Sequence, residues 1–133
     1  MVCLAVLAAA SVCGVLHRWR SGRVCVRGRD EGKRLGAAEL GAELGERATL
    51  VQFSSAFCAP CRATRRILDE VAGLVPGVTH VEIDAEAHLN LVRALDILKT
   101  PTVLVLDADG RVVRRATGQP RKADVIAALG DAV

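Results

Sequence analysis

The sequence predicts an α/β domain with a central mixed sheet flanked by helices, preceded by a single N-terminal hydrophobic helix. Three observations predict it. Segments of helical and strand periodicity alternate from Leu35 to the C-terminus. Asp109-Gly110 is a tight connection that turns one strand antiparallel onto the next, so the sheet is not purely parallel. The 15 residues from Val2 to Leu16 carry no charge.

As a helix that apolar run reaches about 22 Å, against a hydrocarbon core of about 30 Å. Trp19 and the arginines around it extend the reach by sitting at the interface and snorkelling, so residues 1–19 read as a transmembrane anchor. A signal peptide is the alternative. It normally places positive charge before the apolar run and small residues after it, whereas His17-Arg18-Trp19-Arg20 follow here. The same feature weighs against a lipoprotein site at Cys13. All nearby Lys and Arg lie C-terminal to the run, which places the folded domain on the cytoplasmic side of a cell membrane crossed once. Residues 20–34 read as a basic linker, Gly- and Arg-rich and too charged to pack, with Val24-Cys25-Val26 as its one apolar patch.

Residues 35–133 read as the globular domain. Ala37 to Glu46 has Leu40 and Leu44 four apart on one face of a short helix. Thr49 to Ser54 is a buried strand. Pro60 to Leu74 is a helix with Ile67, Leu68, Val71 and Leu74 inward, ending before Pro76-Gly77. Val78 to Ile83 is a strand, Ala87 to Leu95 a helix, and Thr102 to Leu106 a strong strand. Arg111 to Ala116 returns after the Asp109-Gly110 turn. Gln119-Pro120 opens a last helix, with Pro in its first turn and Val125, Ile126 and Leu129 inward.

Composition narrows the function classes. The chain has 133 residues, enough for one compact domain, and is 51% hydrophobic with only Trp19, Phe53 and Phe57 as aromatics. The first 34 residues carry a charge of +5, and the remaining 99 hold 11 basic and 13 acidic side chains. A nucleic-acid-binding domain would spread its positive charge over a folded face, so that class is excluded and a juxtamembrane segment is favoured. Five cysteines are too few and too irregular for a disulfide scaffold. A zinc ribbon needs a second pair of ligands, which Cys3, Cys13, Cys25, His17, His80 and His88 do not supply at suitable spacing, so no metal is expected.

Cys58-Ala59-Pro60-Cys61 is the exception, because it pairs two thiols three residues apart where a strand gives way to a helix. The first thiol meets the unpaired N–H groups and positive dipole end of the helix, which favours thiolate and makes Cys58 the nucleophile. Cys61 lies a turn inward, placed to attack a mixed disulfide and release the reduced product. Pro60 is tolerated in a first turn, where its missing N–H has no partner to lose.

The stretch from Leu50 through Cys61-Arg62 resembles the active-site segment of the thioredoxin family. Leu98-Lys99-Thr100-Pro101-Thr102, running into an apolar strand, resembles that family's cis-proline strand. Asp109-Gly110-Arg111 and Thr117-Gly118 fall where the family has its hairpin and glycine. The resemblance covers about residues 35–133. It implies a thioredoxin-like fold and a thiol–disulfide oxidoreductase whose redox group is a Cys58–Cys61 disulfide, with no other cofactor. It implies a cis Pro101 packed against the cysteine pair, with the Thr100 backbone pairing with a substrate strand. Phe57, Ala59 and Pro60 would line the same substrate site.

Two departures from the family pattern stand out. Gln52 takes the place of an acidic residue beneath the second cysteine. It can hydrogen-bond there but cannot take a proton, so Cys61 should lose its proton slowly and mixed disulfides should live longer. Phe57 and Ala59 replace Trp and Gly, which alters potential and partners rather than reaction class. Arg62 adds positive potential near Cys58, Arg65 and Arg66 read as a solvated face, and His80 reads as a surface residue.

The expected partners are protein disulfides and an upstream electron-donor reductase, met by a monomer at the membrane with no nucleic acid involved. Two alternatives are an extracytoplasmic relative that oxidises thiols or matures cofactors, and a thioredoxin-fold binding module without catalysis.

Overall fold

The computed structural model describes residues 1–20, 24–25, 30 and 32–133, with the side chains of residues 17–20 and 24–25 outside that description. Its elements in chain order are α1 (Val2–Arg20), β1 (Val24–Cys25), α2 (Ala37–Leu40), β2 (Ala48–Ser54) and α3 (Ala59–Leu74). They continue with β3 (Val78–Asp84), α4 (Leu89–Ala94), β4 (Thr102–Asp107), β5 (Val112–Thr117) and α5 (Lys122–Ala132).

The strands form one sheet in the order β1-β5-β4-β2-β3. Among the described residues only β2 and β3 run parallel, joined by the crossover through α3, and the other pairs are antiparallel. Gly110 makes the turn between β4 and β5. Its φ of 81° and the 2.2 Å that would separate an added Cβ from the Leu35 carbonyl oxygen leave room for no side chain there. The sheet is therefore mixed, and its centre, β2, is buried along its whole length.

That burial follows from cores on both faces. Odd-numbered Val51 and Phe53 join Val81, Ile83, Leu104 and Leu106 beneath Leu40, Leu95 and Ile97. Even-numbered Ala48 and Leu50 join Val103, Val105 and the inner residues of α3 and α5. Gln52 and Ser54 continue the even row, so a polar pair lies under the start of α3 within an otherwise aliphatic layer. This row positions the site.

Several element limits differ from the sequence expectation. Gly41, at φ 68°, ends α2 after one turn, so no helix extends to Glu46. In α3, Leu68 and Val71 are buried but Leu74 is exposed at the last turn. Pro120 is buried just ahead of α5, whose N-cap is Arg121, rather than inside its first turn. Ile126 faces solvent while Val125 and Leu129 pack.

Two larger corrections concern the N-terminal region. Residues 2–16 belong to a helix and are exposed throughout, and among the described residues no helix is long and apolar enough to cross a membrane. This overturns the expected anchor over residues 1–19 and, with it, the placement of the domain at the cytoplasmic face of a cell membrane. The physical reason is length, since the 15 charge-free residues reach only about 22 Å. The side chains of Arg18, Trp19 and Arg20, counted on to extend that reach, lie outside the described residues.

The segment expected to be too charged to pack does pack where it is described. Val24 and Cys25 pair with Ala116 and Arg115 on β5. Asp30 is buried and accepts two hydrogen bonds from Arg115, at 2.8 Å from Nε and 2.7 Å from Nη2. The same guanidinium donates to the Leu95 and Asp96 carbonyls. Val26, Arg27 and Arg29 of this segment lie outside the described residues.

Candidate active site

The loop after β2 brings Phe57 to φ 58° and leaves its ring wholly exposed. Cys58 follows as the N-cap of α3, in extended conformation, and its Sγ accepts from the Cys61 N–H at 3.2 Å. Pro60 occupies the first turn, where an N–H would have no intrahelical partner. Thr64 Oγ1 donates back to the Pro60 carbonyl at 2.8 Å and ties that turn down. Cys58 and Cys61 are joined by a disulfide, with Cα atoms 5.2 Å apart. Their surroundings differ: Cys58 is half-buried and Cys61 only 2% exposed.

Opposite Cys58, the loop entering β4 carries a cis Thr100–Pro101 bond. Pro101 is buried and its carbonyl accepts from the Gly118 N–H at 2.8 Å, tying this loop to the end of β5. Thr100 Oγ1 lies 3.9 Å from Cys58 Sγ and 2.7 Å from Ser55 Oγ. Ser55 thus joins the site through Thr100, a contact between residues 45 apart that no local motif announces.

Beneath the cysteines sits Gln52, completely buried. Its Nε2 donates to the Cys61 carbonyl at 2.8 Å and to Ser54 Oγ at 2.9 Å. A carbonyl only accepts, so the amide's orientation is determined and Oε1 must point the other way. There it meets His80 Nε2 at 3.1 Å, and His80 Nδ1 lies 2.6 Å from Asp69 Oδ1. His80 is therefore not the surface residue expected from the sequence, since its side chain is 6% exposed. The alternation of β3 carried the signal: Val81 and Ile83 face one core, so His80 and Glu82 face α3.

Of the residues expected at the site, Phe57, Cys58, Ala59, Pro60, Cys61, Thr100, Pro101 and Gln52 come together around the disulfide. Arg62 stands exposed on α3 beside Cys61. One turn along, Arg65 forms a two-pronged ion pair with Glu82 of β3. Hydrogen bonding to Glu82 and its charge raise the Arg65 guanidinium above its ordinary value, partly opposed by desolvation, with Asp69 adding to the rise. The arrangement is a polar floor, a half-open sulfur above it, and a threonine–proline edge alongside.

The thioredoxin family model matches residues 37–131. The thioredoxin of Mycolicibacterium smegmatis is 31% identical over 87 residues, spanning 63% of this chain and 77% of that protein. A mutant thioredoxin from Halobacterium salinarum aligns with a TM-score of 0.60 at 18% identity, over 65% of this chain and 75% of its own, which speaks for the fold. Chloroplastic thioredoxin z aligns with a TM-score of 0.58 at 26% identity, over 65% of this chain and 78% of its own. The chain belongs to the thioredoxin family and is a thiol–disulfide oxidoreductase whose redox group is the Cys58–Cys61 disulfide.

Proposed function

We propose that the protein reduces protein disulfides, with Cys58 as nucleophile and Cys61 as resolving thiol. The difference in exposure carries this reading: a substrate sulfur can reach half-buried Cys58 at the helix N-terminus, whereas Cys61 is shut beneath it. In the reduced protein the Cys58 thiolate attacks one substrate sulfur. The substrate S–S bond breaks, the departing sulfur takes a proton, and Cys58 is left in a mixed disulfide. Cys61 gives up its proton and attacks Cys58 Sγ, the second substrate sulfur leaves and is protonated, and the Cys58–Cys61 disulfide forms. Two electrons have passed to the substrate. A disulfide reductase, the partner class that family membership implies, returns them.

Exposed Phe57, Ala59 and Pro60 on one side, and Thr100 and Pro101 on the other, support a substrate chain lying across Cys58 with its backbone against Thr100. Exposed Leu89 and Leu98 line a depression beside Thr100 and would extend the apolar contact. Gln52 holds the Cys61 carbonyl without offering a proton acceptor, and Arg62 adds positive potential at the helix start. The test is reduction of insulin by the full chain with dithiothreitol as electron source. Cys58→Ser should abolish it, and Cys61→Ser should accumulate a covalent adduct of protein and substrate visible by mass. Undiminished reduction by Cys58→Ser would overturn the assignment.

A further inference from the structure

The two edges of the sheet are finished differently. On β5 the outer side is met by β1 and by the Arg34–Arg111 bridge. β3 pairs with β2 along the whole of Val78–Asp84, and among the described residues no strand or bridge lies on its other side. Val78-Thr79-His80-Val81-Glu82-Ile83-Asp84 carries no proline, lysine or shift of register, devices that commonly close an edge. The ends of the strand fix which way its backbone points. The Gly77 carbonyl accepts from the Ala48 N–H, and the Ala85 N–H donates to the Ser54 carbonyl. The odd-numbered residues between them therefore bond to β2, while His80 and Glu82 turn both N–H and C=O groups to the open side.

We propose that this edge is a docking surface for a second copy of the chain, which adds its own β3 antiparallel across a two-fold axis at Val81. In that register His80 of each copy stands opposite Glu82 of the other and exchanges both backbone hydrogen bonds with it. The neighbouring registers are worse. An axis at Glu82 sets that carboxylate against itself, and like charges directly opposite each other destabilise a strand pair. An axis at His80 brings Pro76, which has no N–H to give, against Asp84.

The helix above the edge selects the same partner. On α3, Arg65 reaches Glu82 and Asp69 reaches His80. The axis that sets His80 against Glu82 thus also brings Asp69 of one copy alongside Arg65 of the other, twice in each dimer. Both side chains are open to contact from outside, Arg65 at 46% exposure and Asp69 at 63%. Glu70 takes no part, because it turns toward α5 and holds Lys122. A strand of unrelated sequence would match the backbone groups but not this order of charges, which commits the edge to a second copy.

Sedimentation velocity of the oxidised full chain over a range of concentrations tests this. We expect a reversible equilibrium between monomer and dimer. Asp69→Lys sets like charges against Arg65 of the second copy, and Arg65→Glu does the same against Asp69. Each alone should weaken the dimer at least about tenfold. Mixing the two singly substituted proteins sets opposite charges together at both contacts, and should return a dimer containing one copy of each. A misfolded variant cannot give that rescue. Glu82→Pro removes an outward N–H while sparing the bonds to β2, and should abolish the dimer alone or in any mixture. A parent that stays monomeric would leave the edge to another protein's strand and overturn the proposal, as would a mixture that does not recover. A dimer that survives all three substitutions would also overturn it, because its contact would then lie elsewhere, as on exposed α1.

Discussion

In the proposed mechanism Gln52 is the residue that sets the kinetics of this site. It is buried, it clamps the Cys61 backbone, and it has no proton-accepting form near neutral pH. Gln52→Asp should raise the rate of insulin reduction by at least about tenfold, as expected when a general base is restored. Rates indistinguishable from the parent across the range from about pH 6 to 9 would count against that role. The thiol pair, Gln52 and Pro101 were legible because each sits in a recognisable local pattern. His80, Asp69 and Ser55 were not. Strand alternation tells which face a side chain takes, but not that a histidine on one strand meets an amide on the next and a carboxylate on the helix above.

At the level of elements, legibility followed the reach of the signals. The limits of β2, α3, β3 and β4 fall within about a residue or two of expectation, because period and turn residues are local. Val24, Cys25 and Asp30 were misjudged because charge was equated with solvation, while the partner of Asp30 stands 85 positions away. The Asp30–Arg115 pair now predicts its own energetics. Arg115→Met leaves the buried Asp30 carboxylate with only the 3.6 Å contact to Lys33 and should cost up to about 3–5 kcal/mol, whereas Asp30→Leu together with Arg115→Met should cost far less. Urea midpoints of the three proteins check this. Within α3, Leu68→Ala opens a cavity in the layer that carries the cysteine helix and should cost about 2–5 kcal/mol. Unfolding curves showing no loss would mean that α3 is not anchored by that side chain.

The whole molecule couples its redox state to its stability. Closing a four-residue loop at the start of α3 constrains the unfolded chain and should make the oxidised protein more stable by about 2 kcal/mol. Thermal melts with and without reductant measure it, and a reduced form as stable as the oxidised one would refute it. The outer side of β5 has a further consequence. Unpaired edge strands invite a second chain to add to the sheet, and β5 sends Val112 into one core and Ala116 into the other, which makes it a well-formed strand to add to. Val24 and Cys25 occupy one end of that edge, and the Arg34–Arg111 bridge the other. The Asp30–Arg115 pair ties residue 30 to β5, so loosening it should expose that edge and show first as concentration-dependent aggregation, before any change at the disulfide.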